Sequence, residues 1–229
     1  MNSELALKYV RRKKRRRRVA IISSICTVAL TVFIIIAFCL MKVDRFTIST
    51  AQEAELSLCI DEDRKVLTTE LQASPLLSAN DTQYSDIPEN IEDGLGSKNT
   101  NHYFAYSFYL LGKASDKDNI NYSLSMSLVD TSKDLEQAIR VMIIRDGDRR
   151  IYSITSKPIY DGSDHTKDPE RELGTTTAYW DSDHIALIWD KIAPGTYTKY
   201  TIVIWIDGWE SVDSMKSGTF SANLKFSTK

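Results

Sequence analysis

The sequence predicts a mainly β protein in which a single N-terminal transmembrane helix is followed by an antiparallel β-sandwich outside the membrane. Three observations predict it. Val19 to Met41 is a run of 23 residues without a charge, abutting a block of basic residues. Beyond it, apolar side chains recur with period two in segment after segment. Asp, Asn, Gly and Pro separate those segments, and helical periodicity is scarce.

Composition bounds the classes first. With 42% hydrophobic and 26% charged residues the chain is neither disordered nor polytopic. The 29 basic and 31 acidic side chains nearly balance, but residues 1–18 hold nine of the bases and only one acid, Glu4. The remainder is therefore acidic, which repels phosphates and argues against nucleic acid as a partner. Cys26, Cys39 and Cys59 are placed too awkwardly for a disulfide framework or a cysteine-based zinc site.

In chain order, residues 1–18 read as a basic cytoplasmic tail. Arg11, Arg12, Lys13, Lys14, Arg15, Arg16, Arg17 and Arg18 form an unbroken run that resists translocation and pairs with anionic lipid headgroups, so it fixes the topology. Residues 19–41 would span about 34 Å as a helix, enough to cross a hydrocarbon core of about 30 Å. A cleaved secretory signal is the rival reading. The apolar run exceeds the usual ~7–15 residues, and Ala37-Phe38-Cys39 has the wrong small-residue spacing for cleavage. Phe38 also argues against lipidation of Cys39. A retained signal anchor is the expectation, with the N-terminus in the cytosol and residues 42–229 outside the plasma membrane.

Those outer residues form one domain of ordinary size. Phe46 to Ser49, Glu55 to Ile60 and Lys65 to Leu71 read as short strands. Residues 73–101 and 157–176 are rich in Asp, Ser, Asn, Gly and Pro, and read as long surface loops where binding could be built. Tyr103 to Leu111 and Tyr200 to Ile206 are apolar on both sides, as central strands are. Ile120 to Leu128 and Phe220 to Ser227 alternate as half-buried strands do. Arg140 to Arg145, Asp146-Gly147 and Arg149 to Ile154 spell a hairpin with a primed turn. Thr131 or Ser132 is placed to cap a short helix through Asp134 to Ala138, and Trp209 to Met215 offers another. Pro194-Gly195 forms a turn into the most hydrophobic strand, with a tyrosine at the corner.

The segments RRKKRRRRVAIISSICTVALTVFIII, FTIST, NHYFAYSFYLLG, INYSLSMSLVD, AIRVMIIRDGDRRIYS and YTIVIWIDGWESVDSMKSGTFSANLKF together resemble an uncharacterised group of membrane-anchored surface proteins of Gram-positive bacteria. The resemblance runs along most of the chain and concerns strands. In that group an acidic pair and a cysteine follow the IWIDG position, whereas this chain reads Trp209-Glu210-Ser211-Val212-Asp213, so a role for that cysteine does not carry over. More distantly, Phe46 to Leu58 is similar to the first strands of camelysin/TasA-type exported proteins. That similarity implies a jelly-roll sandwich that assembles fibres or coats the cell.

No catalytic constellation is recognisable. The histidines are His102, His165 and His184, without a nucleophile elbow or a Cys/His signature. Ser163-Asp164-His165 and Ser182-Asp183-His184 spell triad letters, but triad groups come from separated segments. The metal-dependent proteolysis linked with camelysin-like proteins needs H-E-x-x-H, which is absent. No cofactor is expected. Asp116 to Asn119, Asp146 to Asp148 and Asp161 to Asp164 offer oxygens to a loop-bound calcium, without the EF-hand pattern. Of Trp180, Trp189, Trp205 and Trp209, Trp205 falls in a central strand and reads as core. Trp209 beside Glu210 is the interaction candidate, placed for sugar stacking or a partner contact.

These readings converge on a non-enzymatic cell-surface module anchored in the lipid bilayer. Its expected partners are envelope proteins or polysaccharides, or further copies of the chain joined by strand addition. The alternative is an extracytoplasmic metal- or carboxylate-dependent hydrolase of cell-wall material.

Overall fold

The computed structural model describes residues 31, 46–51, 55–74, 76, 78–116, 118–153, 177–178, 184–208 and 210–228. The chain divides into two compact units, Met1–Asp44 and Arg45–Lys229, and the second holds the described strands. Among the described residues no helix is long and apolar enough to cross a membrane. The span expected at 19–41 and the basic run lie outside the described residues, apart from Thr31, whose backbone is helical.

Thirteen strands are described: β1 Phe46–Thr50, β2 Leu56–Cys59, β3 Glu70–Ala73, β4 Asp81–Thr82, β5 Gly96–Ser97, β6 Tyr103–Gly112, β7 Ile120–Thr131, β8 Ile139–Arg145, β9 Asp148–Ser153, β10 Thr177–Ala178, β11 His184–Ile192, β12 Tyr197–Asp207 and β13 Phe220–Thr228. They form two sheets. The smaller has the order β11-β7-β13-β1-β3; the larger runs β10-β9-β8-β12-β6-β2, with β4 on β12 and β5 on β6. Most pairs are antiparallel, as expected, but β1–β13, β9–β10 and β4–β12 are parallel. Parallel neighbours need long connections, and β1 and β13 stand at opposite ends of the domain's strand order, so that pairing closes it.

The smaller sheet follows its alternation. In β7, Ile120, Tyr122, Leu124 and Met126 are buried while Asn121 is exposed; in β13, Ala222, Leu224 and Phe226 are buried while Asn223 and Lys225 are exposed. The buried faces of both sheets meet over one core. Aromatic rings lock that contact edge-on: Phe46 against Phe104 at 4.9 Å, and Phe226 against Tyr200 at 5.3 Å and Phe108 at 6.0 Å.

The larger sheet departs from a simple sandwich. β6 and β12 are buried on both faces, as their composition demands, because the chain itself covers the outer face. Of residues 73–101, expected as a surface loop, Ala73 ends β3, β4 and β5 join the larger sheet, and a strap at 84–91 lies against that face. Ile87 and Ile91 are buried against Tyr103, Ala105, Met142, Val203 and Trp205, and Tyr84 packs over Trp205 at 6.4 Å. Lys98 Nζ pins the strap by donating to Ile91 O at 2.5 Å and Ser107 Oγ at 3.1 Å. One aromatic ring and two isoleucines spaced among polar residues are enough to hold this stretch on the sheet as a third layer. The second loop, 157–176, lies outside the described residues.

Local elements show similar refinements. The Asp146-Gly147 hairpin forms with φ of 44° and 87°, the primed turn its letters require. The third early strand begins only at Glu70, because the Asp61 carboxylate accepts the Asp63 and Lys65 amides and holds a turn in which Val66 and Leu67 remain exposed. The expected helix after Thr131 is a single 3-10 turn, Leu135–Gln137. It is entered through left-handed Lys133 and Asp134 without a side-chain cap. A second 3-10 turn, Asp213–Met215, stands where Trp209 to Met215 suggested a helix. The turn at Pro194-Gly195 closes against Gly112, whose amide donates to Thr196 O at 3.1 Å. A Cβ on Gly112 would lie 2.8 Å from Ala193 O, so glycine is required there.

Candidate functional site

The two sheets differ in what their outer faces present. The strap packs on the larger sheet's; among the described residues no segment packs on the smaller sheet's, which is built mostly from polar side chains. Register aligns them in rows: Trp189, Ser123 and Ser227; then Ser125, Lys225, Ser49 and Glu70; then Ser127, Asn223, Thr47 and Gln72. Lys191 faces the same way beside Asn121. Trp189 is 57% exposed, the largest exposed ring among the described residues. It stands on β11, the edge strand of this sheet, and no described strand pairs with the far side of β11.

At the end of β11 the surface sinks into a depression of about 480 Å³ lined by Asn121, Tyr122, Trp189, Asp190 and Lys191. Beneath it Asp190 pairs with Arg145, which also donates through Nη2 to Lys191 O at 3.5 Å. Behind that pair the Tyr122 and Tyr200 hydroxyls share a 2.6 Å hydrogen bond inside the core. Burial pushes Tyr122 up to about 12 against the opposing pull of that bond, and burial raises Tyr200 as well. Both phenols are thus neutral over the ordinary pH range. The arrangement places an indole, an amide, an ammonium and a carboxylate side by side. It contains no nucleophile–base pair.

A second polar cluster lies on the larger sheet. Arg140 on β8 pairs with Asp207 at the end of β12 at 2.9 Å and with Glu210 at 3.6 Å, and donates through Nη1 to Gln137 O at 3.2 Å. All three side chains are buried. Such a triad fixes how the chain leaves β12, since removing one partner strands the other charges out of water.

The sequence candidates therefore fall differently from their expected places. Glu210, named with Trp209 as an interaction candidate, is buried and ion-paired with Arg140; Trp209 itself lies outside the described residues, as do Arg11 to Arg18. Trp205 is core, as expected. Of the calcium candidates, Asp146 Oδ1 accepts the Lys199 amide and Asp148 pairs with Arg150, so both serve the hairpin. Asp161 to Asp164, with His165, and Ser182-Asp183 lie outside the described residues. Among the described residues no three His, Cys, Asp or Glu side chains are close enough to hold a metal ion. His102 meets the Thr82 hydroxyl at 3.4 Å, on the strap.

Sequence reasoning missed Trp189. In His184 to Ile192 both parities carry apolar residues, so alternation does not reveal which side is wet; only Lys191, two positions on, marks it.

Fold and site define a two-sheet β domain with one self-covered face and one open polar face. No protein-family model matches the chain, and neither does any curated protein or solved structure.

Proposed function

We propose that this protein is a non-enzymatic surface module. It is tethered by a transmembrane helix at residues 19–41, with residues 1–18 in the cytosol, and holds a jelly-roll-like sandwich outside the membrane. There it contacts envelope components or further copies of itself. The resemblance to membrane-anchored surface proteins of Gram-positive bacteria and the charge asymmetry about residue 19 support the location. One observation carries the role: a strap packs on the outer face of the larger sheet, while among the described residues no segment packs on the smaller sheet's outer face, where Trp189 is exposed on the edge strand. A large aromatic that stays more than half exposed on an edge strand is a feature of contact surfaces.

The test is protease treatment of unbroken cells combined with cross-linking. Digestion of residues 42–229, with the basic stub protected and cross-links formed from the smaller sheet, is the expected result. A domain that survives while another exposed protein is cleaved overturns the location. A domain that is digested but forms no cross-links, while its purified form degrades wall fragments, overturns the role in favour of a hydrolase.

A further inference from the structure

We infer that the side of the domain formed by β2 and β3 is sealed against strand addition, with Thr68 as the guard residue. The inference narrows the surfaces through which copies of the chain can join, and it rests on the geometry of the domain alone.

An edge strand is a template for further chain because every second residue turns an N–H and a C=O outward. On β3 the Thr69 carbonyl accepts the Thr50 amide, so Thr69, Leu71 and Ala73 turn toward β1 while Thr68, Glu70 and Gln72 turn outward. Thr68 exchanges both backbone bonds with Leu58 of β2, at 2.7 and 2.9 Å, which joins the edges of the two sheets. Glu70 is held by a side chain. Its N–H donates to Thr68 Oγ1 at 3.2 Å, and its carbonyl accepts from the same hydroxyl at 2.9 Å. With Glu70 occupied on both groups, an incoming strand finds no two successive outward residues to pair with. Just past β3, Ser74 O accepts Asn99 Nδ2 at 2.9 Å, and on the β2 side Leu56, Leu58 and Cys59 are fully buried.

The sequence beside this edge gives the guard its purpose. Ile60, Val66 and Leu67, in the turn that joins β2 to β3, are three of the five large apolar side chains exposed among the described residues. Apolar surface next to an unpaired edge recruits further chains. Thr68 directly follows Leu67, so its hydroxyl stands where that recruitment would begin. The turn itself does not need the hydroxyl, because the Asp61 carboxylate already holds it through the Asp63 and Lys65 amides.

The test uses the full chain in detergent micelles, sized by analytical ultracentrifugation. Thr68→Val and Thr68→Ala remove the hydroxyl and release both Glu70 groups, so each should raise self-association about tenfold over the unaltered chain. Thr68→Ser keeps the hydroxyl and should match the unaltered chain, with circular dichroism confirming that the variants compared are folded. No rise, a rise in only one of Thr68→Val and Thr68→Ala, or an equal rise in Thr68→Ser overturns the inference. Hydrogen exchange on the unaltered chain needs no variant: the Glu70 amide should exchange about tenfold or more slowly than an unbonded amide. Free exchange at Glu70 overturns the inference as well. None of these readouts depends on where the domain sits, so their failure leaves the module reading to be decided separately by protease treatment of cells.

Discussion

Tyr122 and Tyr200 come from strands in different sheets, yet their hydroxyls meet in the core at 2.6 Å. Each satisfies the other, so loss of one leaves a buried group short of its partner. Tyr200→Phe should cost about 1–3 kcal/mol at neutral pH, and Tyr122→Phe with Tyr200→Phe less than the sum of the single changes, as measured by chemical denaturation. The pair also sets a pH response. An unfolded tyrosine titrates near ~10, whereas burial holds Tyr122 up to about 12. The folded state then keeps protons that the unfolded state releases, so this contribution is whole below pH ~10 and is lost as pH rises toward 12. Tyr106 and Tyr152, also raised by burial, act in the same direction. The double variant should flatten part of the alkaline fall seen in denaturation curves across that window. At this scale the sequence named the tyrosines but could not pair them, because 78 positions separate the two.

Among elements, alternation was legible wherever one face is wet and the other dry. Ile120 to Leu128 and Phe220 to Ser227 show it, and the Asp146-Gly147 hairpin was readable from turn chemistry alone. The strap was not, because its apolar anchors, Tyr84, Ile87 and Ile91, follow neither the helical nor the strand period. Only the two-sided burial of β6 and β12 hinted that something must lie on them. Ile91→Ala should destabilise the domain by about 2–5 kcal/mol, whereas Val66→Ala, at a position 68% exposed, should stay within about 0.5 kcal/mol. Equal effects in thermal melts would show that the strap is not part of the cooperative unit.

For the whole molecule, connectivity puts the last strand in the middle. β13 lies between β7 and β1, and its Phe226 touches Tyr122, Phe108 and Tyr200. The smaller sheet cannot close until the C-terminal residues arrive, so Phe226→Ala should cost about 3–5 kcal/mol in denaturation. Removing Phe220 to Lys229 should leave a chain that does not fold cooperatively. That dependence also means the outer face of this sheet forms only once β13 has joined, since Asn223 and Lys225 on its central strand complete two of the rows.

The sequence by itself determined the period-two strands, the primed hairpin turn and the burial of β6 and β12 on both sides, because backbone geometry and side-chain alternation act over a few neighbouring residues. Tertiary structure alone decided that Glu210 is buried with Arg140 and that Trp189 is exposed at 57%. It also decided that Tyr84, Ile87 and Ile91 cover the outer face of the larger sheet. These depend on which distant segments meet, and charge pairing and exposure are properties of that meeting, invisible to any local pattern.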